Sequence, residues 1–381
     1  MKKSSGKTTL LIVTTSYGPG GAERMITTLS STLNRDQHRV IVGLSRPGWL
    51  QDECRRLNVE TRVISLEGPF HIQWLKTCFE LIRSEKVALV HAHEFSAIVY
   101  GWIVTRLAGV PFVGTIHGKN YFWEKLRRRL AYRIISRSGR LVAVSEDLKR
   151  FVMSAIGLPE ARIQVIYNGI ESNFPVSDGN VDRCRAELNL KPGDPVIGAI
   201  GSLYPVKGHQ YLLDAMPALI RQHPNVTLLL IGSGDLEVPL KEQAKRLRIE
   251  QQVRFLGLRG DIPRLLAVMD VFVLPSLSEG HSLALMEAML AGRPVVASRV
   301  GGNAELVLEG ETGILVPSKD PYALTEALHQ LLDNRTMREA FGHQATRRVQ
   351  QQFSARLMTD GYKRLYNDLL GSNEGRAGWQ L

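Results

Sequence analysis

Cysteine is scarce: the 381 residues hold three, Cys54, Cys78 and Cys184, and none forms a CxxC pair. Three are too few for a disulfide framework, which points to a reducing compartment. Long apolar runs are missing too. FSAIVYGWIVT at 95–105 is about half the length a membrane span needs, and it stops at Arg106. MKKSSGKTT at the start has the basic flank of a signal peptide, but the apolar run behind it, LLIV, is too short. There is no low-complexity segment, no short-period repeat and no Asp-x-Asp triplet. A soluble or peripheral protein is expected.

What is present is an ordinary globular composition, 44% hydrophobic and 22% charged, at a length that suits two domains. The net charge is +11, and it lies entirely in one half. Residues 1–174 carry 25 Lys and Arg against 14 Asp and Glu, whereas residues 175–381 carry 23 of each. A basic half suits nucleic acid, an anionic membrane or a phosphorylated substrate, and composition does not choose among them.

Short Val/Ile/Leu runs alternate with amphipathic stretches from end to end. LLIVTT (10–15), RVIVGL (39–44), TRVISL (61–66), KVALVH (86–91), PFVGTI (111–116) and RLVAVS (140–145) read as buried parallel strands. The polar stretch 168–182 reads as a linker. The rhythm then restarts with VIGAIGS (196–202), VTLLLIG (226–232), VRFLG (253–257), VFVLPS (271–276), PVVAS (294–298) and GILV (313–316). The chain is therefore expected to be α/β, two doubly wound parallel-sheet domains in series. Ligands of such sheets bind beyond the carboxyl ends of the strands, so the polar residues there are the first candidates for chemistry.

In SYGPGGAER (16–24), Gly20 and Gly21 allow close backbone approach to an anion at a helix N-terminus; a plain tight turn is an equal reading. Glu23 stands where a dinucleotide fingerprint would need glycine. GKT at 6–8 lacks the glycine loop and preceding strand of a P-loop. HAHE (91–94) sets two histidines on one strand face, with no third or fourth metal ligand evident, and reads as lining an interdomain cleft. His117, beside Gly118, either hydrogen-bonds a polar ligand or is a satisfied structural histidine. In GSLYPVKG (201–208), Lys207 precedes a helix and suits a diphosphate, or is simply solvated.

Glu279 and Glu287, in SEGHSLALMEA (278–288), are eight residues apart. Counted as helix, that is roughly 11–12 Å of axial rise, too far for one proton or one metal but suited to two parts of one long polyhydroxyl ligand. Glu287 sits in a largely apolar stretch, where a merely solvated acid is harder to argue.

As a set, these residues resemble retaining glycosyltransferases of the GT-B type, most closely family 4. The resemblance covers nearly the whole chain. It rests on PGGAER, HAH, TIHG, YNGI (167–170), GSLYPVKG, IGSGD (231–235), FLG (255–257) and above all residues 278–307, with their Glu-x7-Glu spacing and AGRPVVAS. It implies two Rossmann-like domains facing a central cleft: an acceptor-binding domain at 1–174, rejoined by a C-terminal helix at about 355–381, and a nucleotide-sugar-binding domain at 175–354. It puts Glu279 on donor-sugar hydroxyls, Glu287 on the ribose, Lys207 on the diphosphate and His117 near the transferred sugar. Gly20, Gly21, Gly280, His281, Ser282 and Leu283 would surround phosphate and sugar.

Ser202 departs from the family pattern, which often has Arg at that point, and so shifts diphosphate charge onto Lys207. The resemblance implies no cofactor and no metal, the leaving group being stabilised by Lys207 and helix N-termini, with front-face attack. The expected donor is a UDP-sugar ahead of a GDP-sugar. The expected acceptor is a glycan or lipid-linked molecule of bacterial lipopolysaccharide or exopolysaccharide synthesis, and the protein itself is expected in the cytoplasm, or peripheral on the inner face of the cytoplasmic membrane. A same-fold sugar phosphorylase or nucleotide-sugar epimerase is the alternative; no recognition motif supports nucleic acid. Residues 125–137, KLRRRLAYRIISR, have the pattern of an interfacial amphipathic helix, against the alternative of a core-packed helix with a solvated basic face.

Overall fold

The computed structural model describes residues 7–33, 38–65, 72–119, 126–172 and 181–374. Parts of GKT 6–8, of the linker 168–182 and of the basic segment 125–137, together with Leu66 and the end of the 355–381 helix, lie outside those residues. The chain divides into two compact units, Met1–Ile170 with Ala355–Leu381, and Glu171–Ser354.

The first unit holds seven strands: β1 (Thr8–Thr14), β2 (His38–Leu44), β3 (Glu60–Val63), β4 (Val87–His93), β5 (Phe112–Ile116), β6 (Arg140–Ala143) and β7 (Ile163–Val165). All pair in parallel, in the order β3-β2-β1-β4-β5-β6-β7. The second unit holds β8 (Val196–Ile200), β9 (Thr227–Ile231), β10 (Val253–Gly257), β11 (Val271–Leu274), β12 (Val295–Ser298) and β13 (Gly313–Val316), ordered β10-β9-β8-β11-β12-β13 and again parallel. Parallel pairing requires a crossover between strands, and helices supply it. The sequence pattern supports six strands per sheet and misses β7. That strand is a three-residue edge with Gln164 exposed, so it leaves no continuous apolar run.

Period-two geometry sorts the first core into two layers. Leu11 and Val13 of β1 join one apolar cluster, Leu10 and Ile12 the other. The second layer is closed by the last helix, Ala355–Glu374, through Met358, Tyr362, Leu365 and Tyr366. Both tyrosines are fully buried, and their hydroxyls need partners there. His91 supplies one, its Nδ1 lying 2.7 Å from Tyr366 Oη while its Nε2 is 2.7 Å from Thr115 Oγ1. Thr115 in turn lies 3.0 Å from Tyr362 Oη. His91 is thus held in a packed interior under the last helix and is not the cleft-lining residue HAHE suggested, and His93 is fully buried beside it with its Nδ1 2.8 Å from His117 Nε2.

Strand order reverses between β1 and β4 in one sheet and between β8 and β11 in the other. At each reversal the loops leaving the carboxyl ends diverge, which opens a crevice there.

Burial also keeps histidines neutral. It lowers the pKa of His91 and His281 to about 3 and that of His209 to about 4. The unfolded chain takes up these protons near pH 6.5, whereas the native state refuses them until pH 3–4, so acid favours unfolding. Stability is expected to fall as pH drops below about 6.5, by about 1 kcal/mol per pH unit for each such imidazole. Urea midpoints between about pH 7.5 and 4.5 test this; a flat profile down to about pH 5 contradicts it.

Candidate active site

The switch point of the second sheet gathers most of the expected residues. After β8 the chain runs through Gly201 and Ser202 into a 3-10 turn, Pro205–Lys207, closed by Gly208 at φ 65°. A Cβ on Gly208 would lie 2.1 Å from the Pro275 carbonyl oxygen, so only glycine lets the β8 and β11 loops meet. The Leu277 N–H donates to the Val206 carbonyl at 2.8 Å and ties them together. The Lys207 stem passes over Gly201, and its Nζ donates to Glu279 Oε1 at 2.7 Å. Ser276 Oγ donates to the same oxygen at 2.6 Å. Glu279 is only 8% exposed, so this carboxylate is held by an ammonium and a hydroxyl in a largely dry setting.

Its backbone is held as firmly. Gly301, at φ 53°, and Gly302 pack on the carbonyls of Glu279 and Gly280, where a Cβ would come within 1.9 and 2.1 Å. The Gly302 N–H donates to the Gly280 carbonyl at 3.1 Å. Ser282 caps the helix Leu283–Leu290, accepting from the Leu285 N–H at 3.3 Å. The unpaired first-turn amides of such a helix favour an anion or a hydroxyl-rich group. His281 is buried with its ring centroid 5.1 Å from that of Phe353. Glu287 lies half-buried on the helix. The helix begins only at Leu283, so just part of the Glu279–Glu287 interval has helical rise, and 11–12 Å, counted for continuous helix, does not describe it.

Gly20, Gly21 and His117 belong to the other unit. Gly20 is the N-cap of the helix Gly21–Thr32, and both glycines are exposed. The Glu23 carboxylate folds back toward Gly20, so this helix N-terminus already has a negative charge beside it. At the neighbouring end of β4, Glu94 adopts φ 68°, a costly conformation for a residue with a Cβ. Its carboxylate accepts from Thr15 Oγ1 at 2.8 Å; burial raises its pKa, and the Glu23 charge adds to the rise. His117, beyond β5, has its Nε2 2.8 Å from His93 Nδ1, and burial lowers its pKa to about 4. It is a neutral imidazole positioned by a second one.

Ser276 and Glu94 stand in strand-end loops that the sequence marks for chemistry, and Gly301 and Gly302 lie within 278–307, but the sequence assigned none of the four a role. The signal for the glycine pair was available, since VGGN directly follows β12 at a strand's carboxyl end.

Residues 180–348 match the family model of group 1 glycosyl transferases, and residues 19–174 match that of glycosyltransferase family 4. Among curated relatives, a D-inositol 3-phosphate glycosyltransferase of Corynebacterium glutamicum is 30% identical over 76% of this chain and 75% of its own. An Escherichia coli UDP-Gal:alpha-D-GlcNAc-diphosphoundecaprenol alpha-1,3-galactosyltransferase is 28% identical over 84% and 86%. The crystal structure of Anabaena HepE in complex with UDP-glucose superposes with a TM-score of 0.87, at 26% identity, over 95% of this chain and all of that one. Two Rossmann-like parallel sheets carrying such a strand-end site make this a glycosyltransferase of the GT-B fold. The chain belongs to glycosyltransferase family 4.

Because Gly301 braces the Glu279 carbonyl, Gly301→Ala is expected to displace the carboxylate and lower sugar transfer at least about tenfold. Gly260→Ala, where a Cβ meets nothing within 4 Å, serves as the control and should transfer normally. Equal activity of the two variants would show that the brace does not position Glu279.

Proposed function

We propose that the protein transfers a sugar, with retention of configuration and without a metal, from a UDP-sugar to a lipid-linked or glycan acceptor of bacterial lipopolysaccharide or exopolysaccharide synthesis. The observation that carries this reading is the Lys207–Glu279–Ser276 cluster at the switch point of the second sheet. UDP is supported by HepE, crystallised with UDP-glucose, and by the UDP-Gal named for the Escherichia coli relative. That relative's named acceptor, a diphosphoundecaprenol-linked sugar, supports a lipid-linked one.

In this reading the second unit holds the donor and the first the acceptor. The diphosphate draws the Lys207 ammonium from Glu279, and the charge of the departing nucleotide is spread over Lys207 and the amides before Leu283. Glu279, still held by Ser276, turns its lone pairs to the sugar hydroxyls. Glu287 takes the ribose, while Gly20, Gly21 and Ser202 approach the phosphates through their backbone. His117, neutral, meets the transferred sugar. The leaving phosphate removes the acceptor proton on the same face.

Glu279→Ala is expected to lower kcat about 100-fold or more with UDP still bound. Glu287→Ala should instead weaken inhibition by free UDP. Thermal shifts with UDP- and GDP-sugars identify the base, since ligand at 100 times Kd stabilises by about 2.7 kcal/mol. Transfer at about 25 °C should survive EDTA. Two indistinguishable glutamate variants would contradict these roles, and sugar-nucleotide consumption without acceptor would point to the epimerase alternative.

The helix Leu126–Ser138 adds the membrane to this reading. Tyr132 and Ile135 form its buried side, while Leu126, Leu130 and Ile134 are 79, 56 and 37% exposed. The i, i+4 apolar stripe therefore faces water and not the sheet. Arg133 and Arg137 are exposed along with it, whereas Arg128 lies over the Phe95 ring at 4.8 Å. An outward apolar stripe among arginines is the arrangement of an interfacial helix. Among the described residues no helix is long and apolar enough to cross a membrane. Co-sedimentation should show binding to anionic vesicles and not neutral ones. Arg129→Gln with Arg137→Gln should weaken it roughly thirtyfold, at about 1 kcal/mol per charge, and Leu126→Gln with Leu130→Gln should weaken it too. Failure to bind anionic vesicles at low salt refutes docking.

A further inference from the structure

The second unit brings three metal-ligand side chains together away from the donor loops. His223 is the residue at which the helix His209–Gln222 ends. His329 and Asp333 lie at i and i+4 in the last turns of the neighbouring helix, Pro321–Asp333, and so share one face. The two helices are locked by Thr325 Oγ1, which donates to the Ala215 carbonyl at 3.1 Å, and by the buried Leu219, Leu328 and Leu331. One ligand atom from each of His223, His329 and Asp333 falls within 4.8 Å of the others. His223 Nε2 is 3.1 Å from His329 Nδ1 and 3.6 Å from Asp333 Oδ1, and His329 Nδ1 is 3.4 Å from Asp333 Oδ2.

We propose that His223, His329 and Asp333 bind a Zn2+ ion that staples the ends of these two helices. Tetrahedral zinc at about 2.0–2.1 Å from each donor sets neighbouring ligand atoms about 3.3 Å apart. The two imidazole nitrogens are 3.1 Å apart and each has an Asp333 oxygen within 3.6 Å, Oδ1 for His223 and Oδ2 for His329, so a turn of the carboxylate would let one oxygen join them on one ion. Two imidazoles and one carboxylate select Zn2+ over Mg2+ and Ca2+, which prefer all-oxygen shells. Asp333 and His329 are partly exposed, which gives the ion a way in and leaves the fourth position to water.

The site is remote from the transfer chemistry. The 14-residue helix His209–Gln222 starts beside Lys207 and ends at His223, a run of about 21 Å at 1.5 Å per residue. The ion therefore acts on stability and leaves transfer alone. The three cysteines are buried and offer it no competing thiolate site.

The test uses the full chain stripped with chelator and dialysed. Zn2+ should bind one to one and raise Tm by about 5 °C at a hundredfold excess over Kd. Co2+ in its place should give the visible absorption of tetrahedral cobalt, and Mg2+ should shift nothing. His329→Ala and Asp333→Ala should each abolish the cobalt spectrum and the Tm rise. Both residues are partly exposed, so the stripped variants should melt with the stripped parent, which separates lost metal from lost fold. Absence of stoichiometric zinc binding, or binding that persists in His329→Ala, overturns the site. Transfer that fails on chelation at about 25 °C, with the fold intact, overturns the purely stabilising role.

Discussion

A parallel sheet covered by helices on both faces has no room for polar chemistry along its strands. In this molecule β1, β11 and β12 are buried almost throughout, and the crossovers bury their side chains from both sides. Groups carried by the sheets that can bind a charged or hydroxyl-rich molecule are thereby driven to the strand ends. The order of strands decides which ends matter, because only where the order reverses do adjacent loops part. Glu279, Lys207 and Ser276 stand at one reversal; Glu23, Glu94 and Thr15 stand at the other.

A carboxylate as buried as Glu279 is costly unless charge and hydrogen bonds compensate it. Lys207 and Ser276 provide both, and the local backbone is shaped to let them. Gly208 admits the close loop contact, while Gly301 and Gly302 press on the carbonyls of Glu279 and Gly280. The ion pair and the glycines form one device: remove a partner and a charge is stranded, add a methyl and the loop must move. The departure at Ser202 fits this arrangement, since an ammonium and a hydroxyl, from Lys207 and Ser276, hold the Glu279 carboxylate.

Much of this was legible in the sequence. Twelve of the strands announce themselves as Val/Ile/Leu-rich runs, most of them because burial on both faces favours such residues, although β3 has Arg62 and Val63 exposed. The restart of the rhythm after 182 separates the two sheets. β7 was invisible because it is only three residues long and its middle one, Gln164, is exposed and polar. The residues of the loops after β8 and β11 could be picked out by their place after strands, but not the pairing of Lys207 with Glu279, which joins positions 72 apart and depends on β8 and β11 being neighbours. His91 and His93 misled for a related reason. Spacing puts them on one face, but only the fold shows that His91 lies under the tyrosines of the last helix. The stripe of Leu126, Leu130 and Ile134 also reads identically whether it points inward or outward.

That last helix, Ala355–Glu374, has a consequence for synthesis on the ribosome. It is translated after the whole second unit, yet it shares one apolar cluster with Leu10, Ile12 and Leu89 of a sheet translated first. Between Ile170 and Ala355 lie about 185 residues, which at 5–20 residues per second take about 10–40 s to make. For that interval the nascent sheet keeps an apolar face uncovered, with Thr115 and His91 lacking their tyrosine partners. The second unit, continuous from Glu171 to Ser354, has its whole sequence available sooner. The later-made half is therefore free to fold to completion first, and the first-made half waits on the helix that follows it.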